Sequence, residues 1–247
     1  MVEGLLNPNR WIAALNNLDI FWDGLFMTLK VALVGLMVAL VLGFLFGFMS
    51  TSKSKFCRGI TRVYVEFFQN TPLVIQVFFY FNGLPFILKE LLNTPTPVRV
   101  SKFWIGVIGV GLYHGAYISE VVRTGIQSVP KGQKEAAHSQ GFSTLHTMRY
   151  VVLPQALKVI MPPLTNQALN LVKNTSVLAM VAGLDLMYFA DNYVSQSGYL
   201  QGYILCAAMY FLLCFPLARL AKWLEEKSKR VPTRGDTKRK EVVKEVS

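Results

Sequence analysis

Lys173 is a cation within a long apolar stretch, and Asn170, Asn174 and Thr175 stand close beside it. A second polar group, Gln69, Asn70, Thr71 and Pro72, interrupts another apolar stretch nearer the N-terminus. Ammonium, amide and hydroxyl groups supply donors for a carboxylate. Amide oxygens, and backbone carbonyls freed by a proline, supply acceptors for a cation, and both count most where water is partly excluded. The same side chains can instead bond one another and hold helices together, a use that suits Gln69, Asn170 and Asn174 equally well. Lys173 either lines a polar path or forms a buried pair, for which Glu66 is a candidate acid; Glu66 and Glu120 otherwise read as halves of salt bridges.

A basic, polar loop over residues 130–160 carries a different arrangement: Glu135-Ala136-Ala137, then Gly141, then Leu153-Pro154. The run from Gln133 to Gln140 favours helix, and Gly141 supplies the freedom to end it and turn the chain. A second short helix is expected from Ser143, as N-cap, to about Val152, because Pro154 disfavours helical geometry at the residue before it. Small side chains at 136 and 137 let another backbone come close, and Glu135 offers a carboxylate to a partner's cation. That is a docking element; an ordinary amphipathic loop is the alternative.

Some chemistry is missing. There is no G-x-x-x-x-G-K phosphate loop, so the chain is not expected to bind ATP, and no cofactor is implied. His114, His138 and His146 lack metal-ligand spacing, no serine sits in a G-x-S-x-G elbow, and Cys57, Cys206 and Cys214 form no C-x-x-C pair. No catalytic or metal residue is expected. The net charge of +11 would suit nucleic acid only with a basic groove or stacked aromatics on a soluble module, and neither is evident.

The elements that must position these residues are apolar helices. The chain is 53% hydrophobic and 16% charged, against about a quarter charged in soluble domains, which points to an all-α, multi-pass membrane protein. Residues 1–20, with Trp11, read as an interfacial segment without the pattern of a cleavable signal. Five spans are expected: residues 25–49, with Gly35, Gly43 and Gly47 for close helix packing; 60–84, bent at Pro72; 103–122; 160–188; and 199–220. Residues 83–102 form an external loop on this reading, and 226–247 a basic cytoplasmic tail. Lys and Arg from 53 to 62, from 123 to 158 and from 219 onward number nineteen; Arg10, Lys89, Arg99 and Lys102 lie on the other side. The positive-inside rule then places the N-terminus outside and the C-terminus in the cytoplasm.

The spacing E-A-A, three residues, G, nine residues, V-x-L-P resembles the EAA loop of type I ABC importer permeases. Tyr117, Glu120, Arg123, Gly125-Ile126, Val129-Pro130 and Lys131-Gly132-Gln133 resemble the polar amino-acid branch of that family, as do Asn70-Thr71-Pro72-Leu73 with Gln76 and Asn170 to Ser176. The resemblance covers roughly residues 20–225, so the permease domain is placed at 21–225. It implies a bacterial inner-membrane permease subunit for glutamate/aspartate or glutamine, with Glu135, Ala136, Ala137, Gly141, Leu153 and Pro154 coupling it to a separate ABC ATPase subunit that binds ATP. It also implies a second permease subunit, identical or paralogous, and an extracellular or periplasmic amino-acid-binding protein. A self-sufficient secondary transporter or channel, or a membrane-bound assembly or signalling protein, are the alternatives from other classes; a secondary transporter would normally show internal repeats or midplane coupling acids, and no clear repeat is present.

Overall fold

The structure is a computed structural model that describes residues 2–181 and 183–229. Short helices α1 (Val2–Leu5) and α2 (Pro8–Leu15) lead into α3 (Leu18–Ser50), whose 33 residues span about 50 Å at 1.5 Å per residue. Then come α4 (Lys55–Asn70), α5 (Leu73–Asn82), α6 (Leu84–Leu92) and α7 (Lys102–Gln127). The polar loop folds as α8 (Lys131–Ser139) and α9 (Thr144–His146). A π-helical segment, Thr147–Val152, joins it to α10 (Leu153–Asn174), and a 3-10 segment (Thr175–Val181) precedes α11 (Leu186–Ser197) and α12 (Gln201–Lys229). The described residues contain no strand. Among the described residues three helices, α3, α7 and α12, are long and apolar enough to cross a membrane. The number rises to five if the bent pairs α5 with α6, and Thr144–Val181 with α11, each count as one span.

The core is the seam between α3 and α7. A Cβ on Gly35 would fall 2.5 Å from Val110 Cγ2, one on Gly43 2.3 Å from Ile118 Cγ2, and one on Gly47 2.6 Å from Val122. Gly111 and Gly115 of α7 return the fit against Val38 and Leu42. Valine and isoleucine methyls thus occupy the room that absent side chains leave, as expected for glycines at membrane helix contacts. Each partner lies the same distance further along the chain, so α3 and α7 run parallel. Helix α10 packs on α7 the other way round, with Ile160 against Gly125 and, in the 3-10 segment that follows α10, Leu178 against Gly106.

The structure departs from sequence expectation at the prolines. Pro72 does not bend a span from 60 to 84: Thr71 and Pro72 are extended, α4 stops at Asn70, and α5 starts afresh at Leu73. The proline ring disfavours helical geometry at Thr71 and suits the start of a helix. Residues 84–92, expected within an external loop, are helical, and α5 and α6 meet at 44°. Pro154 does not end the preceding helix. Leu153 N–H donates to Met148 O, five residues back, and this widened turn carries the chain past a residue that has no N–H to give. The expected span 160–188 is broken, since α10 ends at Asn174 and α11 begins only at Leu186, capped by the wholly buried Asp185, whose carboxylate accepts from Met187 N–H at 3.1 Å. At the N-terminus, Arg10 lies over the Tyr199 ring and Gln201 Nε2 donates to Gly4 O, which ties residues 1–20 to the α11–α12 turn. Helix α12 runs into the expected tail as far as Lys229; the rest of 226–247 lies outside the described residues.

Candidate functional site

The loop between α7 and α10 is a built, protruding knob. Gly141 has φ +83°, the left-handed conformation that glycine adopts at little steric cost. It permits a two-bond helix stop, in which Gly141 N–H donates to His138 O at 2.9 Å and Phe142 N–H to Ala137 O at 3.1 Å. Ser143 caps α9 by accepting from His146 N–H at 3.3 Å. Ala137 and Thr147 are buried where α8 folds against the π-helical segment. Gln155 Nε2 donates to Val151 O and to Gln133 Oε1, tying the knob to the first turn of α10. Lys134 Nζ reaches Ile126 O on α7 at 3.4 Å.

What this scaffold presents outward is Glu135, Ala136, Gly141 and Pro154, all exposed, with Leu153 half-buried beneath. Sequence reasoning did not single out the apolar contribution: Leu145 is 75% exposed and Tyr150 60%, with Phe142 also open to solvent. Apolar side chains bare on a polar loop were the available signal. Glu135 stands without an ion pair among the described residues.

The intramembrane polar residues divide among different places within one chain. Gln69 Nε2 donates across to Ala116 O on α7 at 3.3 Å, while Asn70 and Thr71 bond back to Glu66 O and Phe67 O on their own helix. Thr71 also accepts at 2.7 Å from Gln76, whose amide straddles the break at Pro72. Asn174 joins an α7–α10 seam that sequence reasoning left unassembled. His114, 2% exposed, faces Gln167 Oε1 through Nδ1 at 3.1 Å and Asn174 Nδ2 through Nε2 at 3.0 Å. With Nδ1 protonated, the neutral ring both donates and accepts, which satisfies both amides.

Lys173 points elsewhere. It is exposed and lines a groove of about 750 Å³ between α10 and α12, walled mainly by Tyr203, Cys206, Tyr210, Phe211 and Cys214. Glu66 is not its partner; it pairs with Arg62 at 3.6 Å, and Glu120 takes Arg123 at 2.6 Å. Asn170 is exposed on the same helix, and the Thr175 hydroxyl is buried and donates to Val172 O. Asp185 was also missed: Tyr210 lies against it, and against Thr28 and Thr175, where α3, α11 and α12 meet. A lone Asp amid Leu, Met and Phe, placed to restart a helix, was its only mark.

A family model described as "Binding-protein-dependent transport system inner membrane component" matches residues 39–230. The chain is 39% identical over 213 residues to "Probable glutamine ABC transporter permease protein GlnM" of Bacillus subtilis (strain 168), covering 86% of this chain and 94% of that one. It is 30% identical over 215 residues to "Glutamate/aspartate import permease protein GltJ" of Escherichia coli (strain K12), covering 85% of this chain and 87% of the other. Among solved structures, "Crystal structure of an amino acid ABC transporter with histidines" superposes with a TM-score of 0.77 at 30% identity, covering 87% of this chain and 97% of that chain.

Proposed function

Because the chain belongs to the family of binding-protein-dependent transport system inner membrane components, we propose that it is the multi-pass permease subunit of an ATP-driven importer of polar amino acids, glutamine or glutamate and aspartate. The observation that carries the coupling role is the knob of residues 131–152, internally capped and braced yet presenting Glu135, Leu145 and Tyr150 outward. A rigid projection of this kind suits a groove in an ABC ATPase subunit, where Glu135 meets a cation and Ala136 permits close backbone approach. ATP is bound and hydrolysed there, not here.

In this reading the chain crosses the membrane five times, with the N-terminus outside and the knob and C-terminus in the cytoplasm. Two permease subunits, identical or paralogous, meet about a two-fold axis, and an external binding protein delivers the amino acid. The knob is continuous with α7 and α10, so closure of the ATPases displaces both helices together as a rigid body and opens the path inward. Lys173 supplies a cation to a substrate carboxylate, and Gln69, Asn70, Thr71, Pro72, Asn170, Asn174 and Thr175 supply amide, hydroxyl and carbonyl groups along the way or hold the helices that form it.

Reconstitution tests this reading. The chain co-purified with its ATPase and supplied with the binding protein should import labelled glutamine or glutamate only with ATP, and Glu135→Lys should abolish both uptake and stimulated ATP hydrolysis while leaving membrane insertion intact. Uptake by the chain alone would make it a secondary transporter instead.

A further inference from the structure

Helix α10 gives up part of its own ladder at Pro162 and Pro163, consecutive residues with no N–H to donate. Its anchor on α7, Ile160 in the notch at Gly125, precedes them, and its last residue, Asn174, stands about 21 Å further along. The next apolar anchor, Leu178 against Gly106, comes only after the helix has given way to the 3-10 segment. Leu171 between the two anchors is wholly buried, but apolar contact is non-directional and does not by itself fix how the last turns of α10 are rotated.

Directional bonds do fix it. Gln167 and Asn174 are separated by nearly two helical turns and so share a face. Both are held by the one imidazole of His114, Gln167 Oε1 at 3.1 Å from Nδ1 and Asn174 Nδ2 at 3.0 Å from Nε2. The ring is rigid and its two nitrogens lie at a fixed separation, so engaging both amides at once selects one rotation of the helix. Lys173 stands one residue, about 100°, round from Asn174. With Asn174 held on α7, Lys173 is turned off that seam and, with Leu169 and Ser176, onto the groove against α12.

We propose that His114 is a positioning residue of the amino-acid path: through Asn174 and Gln167 it sets the rotation of the last two turns of α10 and so holds the Lys173 cation over the α10–α12 groove. This rests on the reading of Lys173 as the cation that meets a substrate carboxylate. His114 itself, 2% exposed between α7 and α10, touches no substrate and acts only through the helix it turns.

The test uses the full chain in complex with its ATPase. Position 173 is read by Lys173→Cys in a chain that also carries Cys57→Ser and Cys206→Ser, with a short bifunctional thiol reagent to bridge it to Cys214 across the groove. Bridging should be efficient with His114 and with His114→Gln, whose amide also donates and accepts. Joint His114→Leu and Gln167→Leu, which makes most of the seam apolar at similar volume, should leave the thermal midpoint near wild type and slow bridging several-fold. Should that pair fail to assemble, Asn174→Ser, too short to reach the ring, makes the same break from the α10 side and should slow bridging alike. Unchanged bridging would overturn the proposal, and so would a loss of bridging that only follows a loss of thermal midpoint, which would leave His114 a structural contact. With Lys173 in place, the Leu pair should lower amino-acid uptake per ATP hydrolysed, and adding Lys173→Met to it should lower uptake no further, because both act at one cation. An additive fall would also overturn the proposal. Normal uptake by Lys173→Met alone would overturn the carboxylate role of Lys173 that the proposal inherits, whereas normal uptake by the Leu pair beside an impaired Lys173→Met would overturn the positioning role of His114 and leave the permease reading intact.

Discussion

At Gly141 the space for a side chain is open, with no atom within 4 Å of an added Cβ, so the cost of substitution is conformational: about 1–2 kcal/mol for an L-residue held at positive φ. Gly141→Asp should therefore insert and assemble but loosen the stop between α8 and α9, and parallel assays of uptake and ATP hydrolysis should both fall. Lys173 presents a different case, because it is exposed on its groove and makes no ion pair among the described residues. Removing its charge strands no partner. Lys173→Met is expected to keep the thermal midpoint of the complex and lower uptake; a large loss of stability would place the residue in a structural pair after all. His114 should behave in the opposite way. His114→Ala leaves the amides of Gln167 and Asn174 facing each other across a void, at about 1–3 kcal/mol for each buried group left without a partner, and thermal unfolding of the purified complex should register it.

Among the elements, the α3–α7 seam leaves little tolerance. A Cβ at Gly43 would stand 2.5 Å from Ile118 Cβ and 3.3 Å from Gly115 O, so Gly43→Val must push the helices apart, at about 1–3 kcal/mol. Gly59→Ala on α4 meets nothing within 4 Å and should be neutral or slightly stabilising, which makes it the matched control in a thermal-shift series. This seam was legible in the sequence, because glycines at positions 35, 43 and 47 of an apolar run have few other uses. The knob was legible too, since Gly141 and Ser143 act through local backbone geometry. The breaks were harder to read. Whether Pro72 bends a helix or parts it, and whether Pro154 ends one or is passed by a π-helical turn, depends on neighbours that pack from elsewhere, such as Gln76 bridging back to Thr71. The His114 seam escaped for the same reason: its members were each visible as polar residues on separate helices, but their meeting is a property of how α7 and α10 cross.

For the whole molecule, the expected topology becomes a labelling experiment. In a cysteine-free background, a cysteine at Asn93, exposed at the left-handed C-cap of α6, should react with an impermeant thiol reagent in intact cells, whereas one at the exposed Lys53 should react only after permeabilisation. The reverse pattern would invert the orientation. The parallel course of α3 and α7 also bears on biosynthesis. Helices that run in the same direction cannot meet as a hairpin, so the glycine face of α3 enters the bilayer before its counterpart has been translated. At ribosomal rates the interval between the end of α3 and the end of α7 is roughly 4–15 s. Throughout that interval Gly35, Gly43 and Gly47 form a bare groove in lipid, open to any nascent chain that offers a similar face, and a nascent fragment released before Lys102 should pair with its own copies through it.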